Sequence, residues 1–209
     1  MKQLHVVLLI FFLFILPLTA QEKNTSLTLY AGYPLPMGGS ESIGTSGTSK
    51  FTEGWNGTID LGAGIGFGLS RQLQIMVEVD YASFSLNANE FLDGRVGTVS
   101  GGVMSALNIS VALQLCLSDN IESAAPFVKI GLGALGFSDL DINASGPGFT
   151  ENIQVTRTAF IQDASFIFGA GISIQMNSKT DLIVEGRYIL GLSDTKNYLP
   201  IHGGIRFRL

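Results

Sequence analysis

Between positions 103 and 117 the chain alternates without a break. Val103, Ser105, Leu107, Ile109, Val111, Leu113, Leu115 and Leu117 take the odd positions, and Met104, Ala106, Asn108, Ser110, Ala112, Gln114 and Cys116 take the even ones. Successive side chains of an extended strand point to opposite faces, so this segment is oily on one side and mostly small or polar on the other. A helix would scatter the same residues around its circumference. The pattern predicts a strand that divides two unlike media. It recurs at 59–69, where Ile59, Leu61, Ala63, Ile65 and Phe67 interleave with Asp60, Gly62, Gly64, Gly66 and Gly68, and at 73–81, where Glu78 and Asp80 sit between Val77, Val79 and Tyr81. Segments 27–33, 128–134, 166–176, 182–192 and 201–209 repeat it, which makes eight.

The connections supply an independent reading, because a membrane-spanning barrel has short periplasmic turns that alternate with longer external loops. With the N-terminus inside, the expected turns fall at 70–72, 118–123 and 177–179, and the expected loops at 36–54, 87–98, 138–158 and 193–200. Short and long alternate throughout. The expected fold class is therefore all-β, an eight-stranded antiparallel up-and-down transmembrane β-barrel.

Composition points the same way. Hydrophobic residues make up 46% and charged residues only 14%, against a usual charged share of about 25% in soluble domains. A surface so poor in charge is ill suited to water. The one continuous apolar run lies at 6–18, too short for a spanning helix, which needs about 20 residues. With Lys2 before it, Pro17 near its end and Ala20 as a small residue for cleavage, residues 1–20 read as an export signal, leaving one domain over 21–209. A water-soluble barrel also alternates, but it would place the apolar row inside and a well-charged row outside. Cys116 is the single cysteine, so no disulfide can form within the chain. The net charge of −5 argues against a nucleic-acid partner.

At the C-terminus, His202, Gly203, Gly204, Ile205, Arg206, Phe207, Arg208 and Leu209 resemble the closing-strand signal of outer-membrane barrels, with Gly204, Phe207 and Leu209 as its marks. Together with residues 125–133 and 184–188, this is similar to the outer-membrane β-barrel domain family, the small barrels of OmpA, OmpX and OmpW type. The resemblance implies an outer-membrane location among lipid and lipopolysaccharide, and reading of the last strand by the barrel-assembly machinery.

Sorting charges by parity places Asp60, Glu78, Asp80 and Glu185 on the lumen side, together with Lys129, Arg187, Arg206 and Arg208. An eight-stranded barrel has room inside only for its own side chains. Four acids facing four bases therefore read as an ion-paired plug, with a charged transport path as the competing reading; the glycines at 62, 64, 66 and 68 are expected to leave room for arginines opposite. His202 beside Ser193 and Asp194 matches a hydrolytic triad in residue type alone, yet a His at a lumen rim more commonly serves as a hydrogen-bonded polar residue. Neither catalysis nor a cofactor is expected, and one His and one Cys on distant strands supply no metal ligand set. Tyr33, Trp55 and Tyr81 are expected in an external aromatic girdle, and Phe67 and Phe207 in a periplasmic one. The Gly/Ser-rich stretches at 37–40 and 44–49 read as flexible loop.

The expected function is a structural or surface-interaction role, with the loops at 36–54 and 138–158 displayed on a closed barrel toward an extracellular or host ligand. A narrow channel for small hydrophobic molecules is the alternative. A lipid A-modifying enzyme is the third reading.

Overall fold

The fold is seen in a computed structural model, in which residues 25–42, 48–92, 95–118, 124–157, 161, 163–192 and 196–209 are described. The expected export signal at 1–20 lies outside the described residues. In chain order the strands are β1 (Thr25–Gly38), β2 (Ser40–Ser42), β3 (Thr48–Lys50), β4 (Trp55–Gly68), β5 (Leu73–Leu86), β6 (Thr98–Gly101), β7 (Val103–Cys116), β8 (Ala124–Phe137), β9 (Leu140–Gly146), β10 (Phe149–Val155), β11 (Asp163–Asn177), β12 (Thr180–Gly191) and β13 (Asn197–Arg208).

Eight of them close into one barrel in the order β1, β4, β5, β7, β8, β11, β12, β13. Every neighbouring pair is antiparallel, and the ring is sealed by the pairing of β1 with β13, where Leu27 faces Phe207 and Leu29 faces Ile205. Each strand lies beside the barrel strands that precede and follow it, so the topology is up-and-down, as the sequence predicts. All eight alternating segments are barrel strands.

The two faces are sorted as the alternation requires. On β7, Val111 and Leu113 are exposed, whereas Ser110 and Gln114 are buried within the barrel. Every Asp, Glu, Lys and Arg of the eight barrel strands lies on the inward row, and the outward rows hold Leu, Ile, Val, Phe, Ala, Gly and Tyr with scarcely a polar group. A water-soluble barrel would show the reverse. The barrel strands run from 12 to 15 residues, longer than the roughly 9–11 that a tilted strand needs to cross a bilayer core.

At the opposite end the chain turns sharply. The Leu69 N–H donates to the Leu73 carbonyl at 2.8 Å, and Asn177 pairs with Thr180 across a two-residue turn. The turn at 118–123 falls largely outside the described residues.

The long connections carry more structure than expected. β2 and β3 form a small hairpin followed by a one-turn helix at Phe51–Gly54. Within 138–158, β9 and β10 form a hairpin whose tip is Pro147 and Gly148; Gly148 sits at φ 85°, a conformation that glycine adopts without strain. β6 joins β9 on its other side, giving a three-stranded sheet in the order β10, β9, β6. Leu140, Ile142, Ala144 and Ile153 on its inner face are buried. The sheet packs on Phe51, Trp55, Phe84, Met104, Leu135 and Phe137, so one apolar core fills the mouth of the barrel at this end.

Trp55 corrects the expected aromatic girdle. Tyr33 and Tyr81 are exposed on the outer wall, as are Phe67 and Phe207 toward the turn end. Trp55 instead faces inward, 2% exposed and packed against Phe51. The pairing of β4 with β5 shifts between Gly57 and Ile59. That bulge adds one residue to β4 and reverses the parity above it, so Trp55 leaves the row of Ile59 and Leu61.

Candidate functional site: the barrel interior

Below the apolar core, the middle of the lumen is filled by an ion-paired cluster. Arg187 on β12 sits at its centre, buried. Its Nη2 donates to Glu78 Oε1 at 3.0 Å, its Nη1 to Asp80 Oδ1 at 2.9 Å, and its Nε to Glu185 Oε1 at 2.9 Å. Lys129 on β8 closes the other side, 2.8 Å from Glu78 and 2.9 Å from Glu185. Tyr30 on β1 donates its hydroxyl proton to Asp80 Oδ1 at 2.7 Å and accepts from Arg187 at 3.0 Å. Its ring lies 4.4 Å from the guanidinium carbon, a cation–π contact. Charges taken out of water cost several kcal/mol each unless paired and hydrogen-bonded; here strands from four parts of the wall supply the partners.

Five of the eight charged residues singled out from sequence therefore meet: Glu78, Asp80, Lys129, Glu185 and Arg187. The other three are arranged differently from the expected four-on-four pairing. Asp60 on β4 pairs with His202 Nε2 on β13 at 2.5 Å. Arg206, nearer the turn end, donates to Gln114 Oε1 at 3.0 Å and to Thr28 Oγ1 at 3.4 Å, with no carboxylate within ion-pair distance among the described residues. Arg208 pairs in bidentate fashion with Asp181, at 2.7 and 3.1 Å, and its side chain is about one-third exposed at the turn-end mouth. Sequence reasoning misses Tyr30, Asp181 and the interior placement of His202. A parity signal for Asp181 and His202 is present, since both share an inward row with charged residues of the same strands.

The glycines of β4 make room, but not for arginines. A Cβ on Gly62 would meet Tyr30 Cε2 at 1.9 Å, and one on Gly66 would meet Ser26 Oγ at 2.5 Å. Gly204, one mark of the C-terminal signal, lies under Tyr30 as well, its Cβ position 2.8 Å from Tyr30 Cβ. Phe207 and Leu209 face outward. Thus Gly62 and Gly204 seat the tyrosine that holds Asp80 and Arg187.

At the turn end the lumen opens into a cavity of about 200 Å³, lined by Ser26, Gln74, Cys116, Asp181, Arg206 and Arg208 among others. His202 is buried in the interior beside Tyr30, ring centroids 4.6 Å apart. Ser193 and Asp194, the other members of the conceivable triad, lie outside the described residues.

No protein-family model matches this chain, and no curated protein matches it by sequence. Among solved structures it is similar to Neisserial surface protein A, with a TM-score of 0.54 and 12% identity over 90% of this chain and 100% of that one. It is also similar to the outer membrane protein OprG from Pseudomonas aeruginosa, with a TM-score of 0.50 and 14% identity over 90% of this chain and 98% of that one. At such identities the likeness is one of fold: a closed, eight-stranded antiparallel barrel.

Proposed function

We propose that this chain is an integral outer-membrane protein, exported by a leader at 1–20 that is then removed, whose barrel is a closed scaffold with a structural or surface-interaction role. The observation that carries this reading is the double filling of the lumen. An apolar core under the three-stranded sheet occupies the loop end, and the cluster around Arg187 occupies the middle. An ion entering from the loop side meets hydrocarbon, and one entering through the turn-end cavity meets the ion-paired cluster. The outward rows fit lipid hydrocarbon, which charged side chains avoid.

The loop end is then the external face. Asp141, Asn143 and Ser145 of β9 and Thr150, Asn152 and Gln154 of β10 form an exposed polar face there. Asn152 donates to Asn143 at 2.5 Å, and Arg95 ties the sheet's edge to Glu151 at 3.3 Å, so the surface is held rather than loose. A rigid barrel presenting such a surface suits contact with an extracellular or host ligand. Likeness in fold to a barrel named a surface protein supports the reading. Lipid and lipopolysaccharide are the partners of the wall, and the barrel-assembly machinery is the partner of the last strand during biogenesis.

Planar-bilayer recording tests the closed scaffold: the folded protein should give no resolved conductance steps. Reproducible single-channel steps would move the assignment to a narrow channel. The surface role is tested by replacing residues 140–155 with a short Gly-Ser turn. The barrel should still shift in gel mobility on heating, while cells displaying it lose adhesion gained with the native chain. Unchanged adhesion would remove the surface role and leave the structural one.

A further inference from the structure

Where the ion-paired cluster meets the apolar core, Asp60 of β4, Asp80 of β5 and His202 of β13 converge. All three are buried, and one potential ligand atom from each lies within 4.8 Å of the other two. Their polar capacity is not used up. Asp60 Oδ2 and His202 Nδ1 are buried and make no hydrogen bond among the described residues. Asp80 spends Oδ1 on Tyr30 and Arg187, while Oδ2 has only a long contact of 3.4 Å with Asn108. A further buried group points the same way. Tyr198, four residues before His202 on the same inward row, is wholly buried with a hydroxyl that makes no hydrogen bond among the described residues, and both Asp60 and Asp80 act on it electrostatically.

Charge makes the arrangement more telling. The carboxylates of Glu78, Asp80 and Glu185 are met by two permanent cations within ion-pair distance, Lys129 and Arg187, whereas Asp60 meets only His202. Four carboxylates against two permanent cations leave this level two charges short of neutral. A divalent ion would close the balance.

The geometry points to a divalent metal site at Asp60, Asp80 and His202, with the Tyr198 hydroxyl as a fourth donor group beside it, and with zinc as the ion that fits. One imidazole nitrogen with carboxylate oxygens suits zinc, which outcompetes manganese and iron at such donors. Magnesium prefers oxygen ligands and keeps waters that a dry interior cannot house. Donor atoms on a tetrahedral zinc sit about 3.3 Å apart, given bonds of roughly 2.0–2.2 Å. The Asp60 to His202 separation of 2.5 Å therefore opens by under about 1 Å on binding. The apolar core on one side and the ion-paired cluster on the other imply that the ion enters while the barrel is closing. This inference goes beyond the scaffold assignment and stands apart from it: a barrel with or without zinc is equally closed.

The test folds the whole mature chain in detergent with Zn²⁺ present, removes free metal by gel filtration, and measures zinc per folded chain by mass spectrometry. About one zinc per chain is expected, with Asp60→Asn and His202→Asn each retaining at least about tenfold less. Asp181→Asn, whose carboxylate lies at the turn-end mouth, should retain zinc as the native chain does. X-ray absorption at the zinc edge, which needs only the native protein, should show nitrogen and oxygen neighbours. Zinc no higher in the native chain than in Asp60→Asn, equal retention in every variant, or a sulfur neighbour from Cys116 would each overturn the site. The first of these outcomes would make Asp60 and His202 an ion pair only.

Discussion

Arg187 illustrates what a single interior residue does here. It contacts three carboxylates and one phenol, so Arg187→Ala leaves Glu78 and Glu185 sharing Lys129 and leaves Asp80 with Tyr30 and Asn108 but no cation. Removing one partner of a buried pair costs about 3–5 kcal/mol. Thermal unfolding in detergent should fall sharply, with bilayer conductance still absent because the apolar core remains. A variant that unfolds as the native chain does would show that the cluster contributes nothing net. Gly62→Ala makes the converse demand, since its new methyl would land on the Tyr30 ring; overpacking of this kind costs roughly 1–3 kcal/mol, measurable as a lower unfolding midpoint. Which residues face inward is readable from parity. Their partners are not, because the match of Asp60 to His202 skips over β1, that of Arg187 to Glu78 crosses the lumen, and both depend on the stagger of the closed sheet.

Strands are the most legible elements, because a wall between hydrocarbon and a filled lumen forces alternation over its whole length. A charge on the wrong row should therefore be costly. Val111→Arg places a guanidinium in the lipid belt at about 2–4 kcal/mol near its middle, whereas Thr98→Arg on the exposed face of β6 should be close to neutral. Comparing refolding midpoints in vesicles checks the pair, and equal midpoints would contradict the lipid-facing assignment of β7. The hairpin of β9 and β10 reads as loop in the sequence although Leu140, Ile142 and Ala144 alternate there. Its run is short, and its exposed side of Asp, Asn and Ser resembles ordinary turn composition. The inward turn of Trp55 is hidden for a different reason. A bulge at 57–59 changes the row of every residue above it, and nothing in single-strand periodicity marks where such an extra residue enters.

Across the whole molecule the short and long connections are segregated to opposite ends. Turns at 69–73 and 177–180 close one rim; a sheet, a hairpin and the short helices at Phe51–Gly54 and Ala88–Leu92 crown the other. Such a body has a direction. Its slim rim exposes short turns with few charged groups besides Arg71, Lys179 and Arg208 among the described residues, whereas the crowned rim would drag a whole sheet face, Asp141, Asn143 and Asn152 included, out of water with no replacement partners. Unassisted insertion into preformed vesicles should therefore leave the crown on the side from which the chain arrived. Protease added outside those vesicles should clip every molecule at its crown. A half-clipped population would mean that either rim can lead, and that the bulk at one end does not govern how this barrel enters a bilayer.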